Sequence, residues 1–243
     1  MQPKNVVNVD EMELEGSTVR WQSWAALMAS IFAGALLATV VLPAWLPGLA
    51  ASLFGAAPKA FWFLSRGSAM AAFGLLWLSM ALGLLITSKA ARLWPGGPAA
   101  FDLHEYASLL GMAFGLFHGL ILMGDQYIHF TLAQVLVPFA STGYKPLWVG
   151  LGQLSFYLWG IVNLSFYVRK QLGNRSWRLV HYASYLTFAL ALAHGIFSGS
   201  DSGAAWAAGI YWIFGGSLLF LLFYRILASL GGGKVARKRL SVE

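Results

Sequence analysis

Long apolar stretches separated by short polar segments dominate the pattern along this chain. A spanning helix needs roughly 20 apolar residues at about 1.5 Å of rise per residue, and six stretches meet that requirement. The pattern therefore predicts an all-α fold, an integral membrane bundle of six transmembrane helices. The predicted spans are Ser23–Leu42, Gly67–Thr87, Tyr106–Met123, Pro146–Val168, Leu179–Ser198 and Ala204–Tyr224.

The first predicted span has a competing interpretation as a cleaved signal peptide. A signal peptide carries a basic region before its apolar stretch and a small-residue site after it, and neither is present here. The residues before the stretch are instead acidic: Asp10, Glu11, Glu13 and Glu15. We expect the span to be retained, with residues 1–22 as a cytoplasmic lead-in, residues 23–229 as the transmembrane domain and residues 230–243 as a basic cytoplasmic tail.

Composition supports a membrane protein. Hydrophobic residues make up 58% of the chain and charged residues 10%, against about 25% charged in a soluble domain. The mean hydropathy of +0.66 argues against a soluble or disordered chain. The absence of Cys excludes disulfides, thiolate zinc sites, iron–sulfur clusters and covalently attached haem.

The net charge of +7 is better explained by membrane topology than by nucleic acid, for which we expect no role. With the N-terminus in the cytoplasm, thirteen Lys and Arg residues fall in inner segments and only Lys59, Arg66 and Lys145 fall in outer ones. The positive-inside rule then predicts that both termini are cytoplasmic. We expect a multi-pass protein of the inner (plasma) membrane whose basic tail contacts anionic lipid.

Four of the five histidines lie on two of the predicted spans or at their ends, His104 and His118 on the third and His181 and His194 on the fifth. Ionisable residues inside a membrane are uncommon and point to function. The two spans run parallel in the predicted topology, so His104 and His181 share a depth near the cytoplasm, and His118 and His194 share one further out. Two imidazoles at one depth can supply both axial ligands of a haem iron. The pattern therefore predicts two b-type haems.

The spacing on the third span places both histidines on one face. Fourteen residues, or about 21 Å of helix, separate His104 from His118, and fourteen steps of about 100° return to within about 40° of the start. Gly111 and Gly115 lie on the same face, where they would let a flat macrocycle approach the backbone. Ordinary small-residue helix packing is the other interpretation of these glycines.

The histidines of the fifth span are less regular. Thirteen steps of about 100° leave His181 and His194 about 140° apart on an ideal helix. Either a π-bulge or a 3₁₀ stretch distorts the helix, or the two haems approach it from different sides. Phe188, between the two histidines, is a candidate contact between the haems, but we expect it to pack in the core.

Haem propionates are anionic and need cationic partners. Arg178, three residues before His181, and Lys89 are the candidates at the inner level, although both would also serve as positive-inside anchors. Arg66 is the candidate at the outer level, where that second role does not apply. His129, in the long outer loop, could bind a metal or help an acceptor dock, but such a histidine is more often simply solvated.

These residues resemble the bis-haem signature of the ferric reductase and NADPH oxidase transmembrane domain, in its bacterial stand-alone form. The resemblance covers about residues 60–230 and implies six helices, cytoplasmic termini and one haem near each membrane face. It is carried by the four intramembrane histidines and by the runs Ser65-Arg66-Gly67, Thr87-Ser88-Lys89, Val137–Ser141 and Trp177–Tyr182.

The resemblance also has a consequence for electron partners. The eukaryotic relatives carry a flavin- and nicotinamide-binding domain after the sixth helix, whereas only residues 225–243 follow the sixth span here. We therefore expect a separate flavoprotein or a quinol as the electron donor and an acceptor on the outer side.

Two classes of function remain open from the sequence. The first is a transmembrane electron conduit, either generic ferric-reductase-like or the haem membrane subunit of a periplasmic methionine sulfoxide reductase system. The second is a non-redox transporter or proton channel with a histidine relay. The predicted spans contain no Asp or Glu to line such a path. A structural assembly subunit would leave the four histidines without a role, so the conduit is favoured.

Overall fold

The structure is a computed structural model, and over the residues that it describes it consists of helices and turns with no strand. The all-α prediction is confirmed for this part of the chain. Side chains are described as far as residue 228. The described residues are 24–26, 28–34, 47, 51, 60–93, 95–125 and 127–240.

The chain divides into two compact units, Met1–Ala60 and Phe61–Glu243, and each is described by itself. In the first unit a short apolar helix, α1 (Trp24–Gly34), covers part of the first predicted span. The rest of that span and the lead-in 1–22 lie outside the described residues. A sixth span therefore stays a prediction.

The remaining chain contains five helices that are long and apolar enough to cross a membrane, so it fits a multi-pass membrane protein. Each overlaps one of the last five predicted spans. They are joined by 3₁₀ turns at Ala90–Arg92 and Leu122–Gly124 and by short helices at Leu132–Leu136 and Arg169–Leu172. The five are α2 (Ala60–Thr87), α3 (Gly97–Ile121), α4 (Pro146–Tyr167), α5 (Asn174–Ser198) and α6 (Ala205–Leu240).

Several helices extend beyond the apolar stretches that predicted them. The α3 helix begins at Gly97, with a proline in its first turn, where the missing N–H costs nothing. The α6 helix continues to Leu240, so the predicted basic tail is helical as far as that residue. Hydropathy detects only the apolar part of a helix, whereas backbone hydrogen bonding continues through polar residues.

The core of this part lies where aromatic side chains of α2, α5 and α6 meet. The Phe73 ring stacks on Phe188 with centroids 5.3 Å apart and meets the Tyr211 ring edge-on at 5.8 Å. Trp77 stacks on Phe214 at 4.5 Å. Phe188 is buried in this cluster, so its predicted packing role is confirmed.

Buried polar side chains join the helices at a second set of contacts. The Ser155 hydroxyl of α4 donates to the Thr187 carbonyl of α5 over 2.8 Å. Trp159 Nε1–H donates to Ser108 Oγ over 3.0 Å, and the Ser108 hydroxyl donates to Asn163 Oδ1 over 2.7 Å. Small hydroxyl residues let helices approach closely and satisfy polar groups in an apolar interior.

Replacing Phe188 by Ala tests the aromatic core. We expect the free energy of unfolding to fall by about 3 to 5 kcal/mol, because the substitution leaves a cavity against Phe73. The matched control is Phe220→Ala on α6, where the side chain is 70% exposed. Thermal unfolding in detergent measures both variants, and equal losses of stability would contradict this description of the core.

Candidate functional site

Two pairs of histidine rings lie between α3 and α5. The first pair, His104 and His181, has ring centroids 6.2 Å apart and ring planes 57° apart. The second pair, His118 and His194, has corresponding values of 6.1 Å and 71°. The structure thus brings the four histidines together as predicted from parallel helices, while what they bind stays a prediction.

The α5 helix brings His181 and His194 to their partners without the π-bulge or 3₁₀ stretch that was one expectation from the sequence. It is α-helical from Asn174 to Ser198, with no π or 3₁₀ stretch inside that range. His181 and His194 therefore contact their partners from different sides of a regular helix. A local distortion of the helix, the first of the two sequence-based explanations, is therefore wrong over this range, and the approach of two haems from different sides stays a prediction.

In the first pair, a serine of α2 holds the α3 histidine. His104 Nδ1 lies 2.7 Å from the Ser79 carbonyl oxygen and 3.1 Å from Ser79 Oγ. The Ser79 hydroxyl donates back to the His104 carbonyl over 3.2 Å. A carbonyl only accepts hydrogen bonds, so Nδ1 carries the proton and Nε2 of the neutral ring keeps its lone pair.

In the second pair, both histidines donate a hydrogen bond to a backbone carbonyl of a neighbouring helix. His118 Nδ1–H donates to the Ser65 carbonyl over 2.9 Å, with Ser65 Oγ also at 2.9 Å. His194 Nδ1–H donates to the Trp148 carbonyl of α4 over 2.8 Å. Three of the four Nε2 atoms are thereby available as metal ligands. Sequence reasoning missed these acceptors, two of which are backbone groups of serines at the same fourteen-residue spacing as the histidines.

His181 has different surroundings from the other three. Among the described residues no hydrogen bond reaches its ring nitrogens, and the Trp177 ring lies 5.2 Å away. Arg225 of α6 donates to the Tyr185 hydroxyl over 3.2 Å, four residues along α5 from His181. Arg225 was not among the predicted site residues. In the sequence it is a basic residue directly after the sixth predicted span.

Two glycines that the sequence did not single out give the histidine rings their space. A Cβ on Gly152 of α4 would lie 2.5 Å from His194 Nδ1. A Cβ on Gly83 of α2 would lie 3.2 Å from His104 Cε1. Contacts under 3.0 Å force a shift, so Gly152 in particular is required for His194 to reach its carbonyl acceptor.

The predicted glycines Gly111 and Gly115 face aromatic side chains of α4. A Cβ on Gly111 would lie 2.7 Å from the Trp159 ring, and one on Gly115 would lie 3.4 Å from the Phe156 ring. Gly111 therefore admits the Trp159 indole, as in small-residue helix packing. Gly115 also lines the cavity beside the second pair.

A cavity of about 480 Å³ adjoins the second pair and is lined by His118 and His194. This volume lies within the range of about 300 to 1,000 Å³ found for small-molecule sites. Two buried donors in its lining, Arg66 Nε and Ser198 Oγ, have no hydrogen-bond partner within the described part of the chain. The cavity is thus apolar with unpaired donors, which suits a ligand that carries an anionic group.

The predicted cations occupy different settings. Arg66 lines the cavity and forms a salt bridge with Asp201, which follows the end of α5. Lys89 is exposed and adopts a left-handed conformation with φ of 64° before the 3₁₀ turn. Arg178 is exposed and donates to the Asn174 carbonyl over 3.3 Å.

The segment between α3 and α4 covers one end of the cavity. Gln153 of α4 donates to the carbonyls of Gln134 and Val135 over 2.7 and 2.8 Å, and both of these residues line the cavity. His129 is exposed, with φ of 56°. Its role in binding a metal or an acceptor stays a prediction.

The end of this segment is fixed to α5 beside His194. The Tyr144 hydroxyl donates to the Ser198 carbonyl over 2.7 Å, and burial raises the pKa of Tyr144. Lys145 Nζ donates to the Phe197 carbonyl over 2.8 Å. A cation at a helix C-terminus is favourable for the helix dipole, so this contact stabilises the end of α5.

In the described residues, no group of three or more His, Cys, Asp or Glu side chains is placed to hold a metal ion. Each histidine pair therefore supplies two protein ligands. No family model, curated protein or solved structure matches the chain.

Gly152→Ala tests the space that His194 needs. We expect a loss of about 1 to 3 kcal/mol of stability, because the new methyl group overlaps the imidazole. Gly160→Ala on the same helix is the control, since a Cβ there meets nothing within 4 Å. That substitution is expected to be neutral or to stabilise by up to about 1 kcal/mol. The same thermal shift in both variants would show that Gly152 is not a close-approach position.

Proposed function

We propose that this chain is a b-type dihaem membrane cytochrome that conducts electrons across the bilayer. In this proposal His104 and His181 are the axial ligands of an inner haem, and His118 and His194 are those of an outer haem. The six-helix topology with cytoplasmic termini and the resemblance to the ferric reductase-like transmembrane domain belong to the same proposal.

The separation of the rings in both pairs is the observation that carries the proposal. A metal–imidazole bond is about 2.0 Å long and the nitrogen lies about 1.1 Å from the ring centroid, so two axial imidazoles have centroids about 6.2 Å apart. The observed distances are 6.2 and 6.1 Å. A direct hydrogen bond between two imidazoles would instead bring the centroids to about 5 Å. The centroid spacing therefore favours two ligands of one metal ion over a direct hydrogen bond between the rings.

The donor set of each pair also fits haem. A porphyrin supplies four nitrogens to the iron, so only two protein ligands are needed, and neutral imidazole is a common axial ligand. A bare transition-metal ion usually takes three or four protein ligands, and no such group occurs among the described residues. When bound, a bis-histidine haem accepts and releases single electrons with no coordination position left for a substrate.

The cavity beside the second pair contains donors that would bind an anionic group at the outer level. Arg66 Nε and Ser198 Oγ are buried donors without partners in the described part, and both line the cavity. We propose that they bind a haem propionate there. Arg225, beside His181, is the corresponding candidate at the inner level, in addition to Lys89 and Arg178.

The electron partners follow from the proposed orientation. The first pair would receive electrons on the cytoplasmic side from a separate flavoprotein or from quinol, and the second pair would pass them to an outer acceptor in the inner (plasma) membrane. A periplasmic methionine sulfoxide reductase is one such acceptor. The chain's own part is to hold four neutral imidazoles at two depths about 21 Å apart along α3.

A haem count on the purified protein tests the proposal. We expect about two b-type haems per chain by the pyridine haemochrome method and a split band in the reduced-minus-oxidised spectrum. His104→Ala and His118→Ala should each remove one haem, because each removes one axial ligand. His129→Ala should retain both, because that histidine is exposed and outside the pairs.

The absence of haem from protein made in haem-replete cells would overturn the proposal. Proton flux in proteoliposomes that depends on the same four histidines would then support the relay transporter. If the wild type holds only one haem per chain, a histidine substitution that leaves this haem in place shows that its pair is not a haem site.

A further inference from the structure

Two serines of α2 repeat the spacing of the two α3 histidines. Ser65 and Ser79 are fourteen residues apart, as are His104 and His118. Because Ser79 meets His104 and Ser65 meets His118, the two helices run antiparallel and each serine lies at the depth of one histidine. The same contact therefore occurs twice, at both levels of the proposed electron path.

Each serine holds its histidine at two points. The serine carbonyl accepts the Nδ1–H bond, at 2.7 Å for Ser79 and 2.9 Å for Ser65. The serine hydroxyl donates to the carbonyl of the same histidine, at 3.2 and 3.3 Å. Because the hydroxyl proton is donated to that carbonyl, the hydroxyl oxygen is a second acceptor for Nδ1–H. The distance is 3.1 Å from Ser79 to His104 and 2.9 Å from Ser65 to His118.

We propose that Ser65 and Ser79 are positioning residues that set the orientation and the electron density of the α3 axial ligands, and hence the reduction potential of one haem each. This inference rests on the proposed function. An acceptor at Nδ1–H makes the imidazole a stronger donor at Nε2, which stabilises ferric iron and lowers the reduction potential.

The residue one turn after each serine is small, which allows the imidazole to reach the serine carbonyl. That residue is Ala69 after Ser65 and Gly83 after Ser79. On α4, Gly152 likewise lies one turn after Trp148, whose carbonyl holds His194. The histidine edge passes this position, as the close approaches at Gly83 and Gly152 show. Within the described part of the chain, only His104 and His118 have a serine hydroxyl as a second acceptor at Nδ1.

A serine that bonds neither a histidine nor the acceptor of a histidine is available for comparison. The Ser165 hydroxyl of α4 donates to the Val162 carbonyl of its own helix over 2.7 Å. It is buried, as Ser65 and Ser79 are. Ser165→Ala therefore removes a buried hydroxyl without changing a contact of the four histidines.

The experiment compares Ser65→Ala, Ser79→Ala and the control Ser165→Ala in the haem-loaded full chain. Potentiometric titration followed by visible and EPR spectra should show an upward shift of one haem potential in Ser65→Ala and of the other in Ser79→Ala. The EPR signal of the shifted haem should change with it, because the imidazole loses an orienting contact. Ser165→Ala should leave both potentials and both signals unchanged.

The outcomes separate this inference from the proposed function. A wild-type chain without haem contradicts the proposed function itself. Two haems with potentials that Ser65→Ala and Ser79→Ala leave unchanged, or shift together, overturn the serine inference alone. If an alanine variant loses haem, Ser→Thr at that position decides, since Thr keeps the hydroxyl: recovery of the haem supports the inference, and the same loss overturns it.

Discussion

The arrangement depends on one constraint, which is that an imidazole N–H in an apolar interior costs free energy unless it is hydrogen-bonded. Backbone carbonyls of Ser79, Ser65 and Trp148 meet this requirement for three of the rings. The bonded nitrogen fixes the tautomer and leaves Nε2 with its lone pair. Small residues on α2 and α4 follow from the same requirement, because a larger side chain would keep the ring from the carbonyl.

The two pairs therefore depend on helices that carry none of the four histidines. The rings come from α3 and α5, while their acceptors come from α2 and α4. Between the two levels, aromatic and hydroxyl contacts hold these helices at close distance, with Phe73 against Phe188 and Ser155 bonded to Thr187. The pairs are thus a property of a four-helix assembly, with α6 adding Arg225 beside the first pair.

Much of this arrangement could be predicted from the sequence, and the reasons for the misses are physical. Five apolar stretches became helices, and parallel helices brought His104 to His181 and His118 to His194. Backbone acceptors were missed because a carbonyl belongs to every residue and has no signature in a sequence. The ring that packs against Gly111 was missed because Trp159 belongs to another helix. The Arg66–Asp201 salt bridge joins residues 135 positions apart, and no local pattern indicates it.

The shared fourteen-residue interval ties the registers of two neighbouring helices together. One residue inserted between His104 and His118 would rotate everything beyond it by about 100° and advance it by about 1.5 Å. The displaced imidazole would then face neither Ser65 nor His194. The same holds for an insertion between the two serines. This stretch of the chain should consequently accept hardly any change in length over evolutionary time.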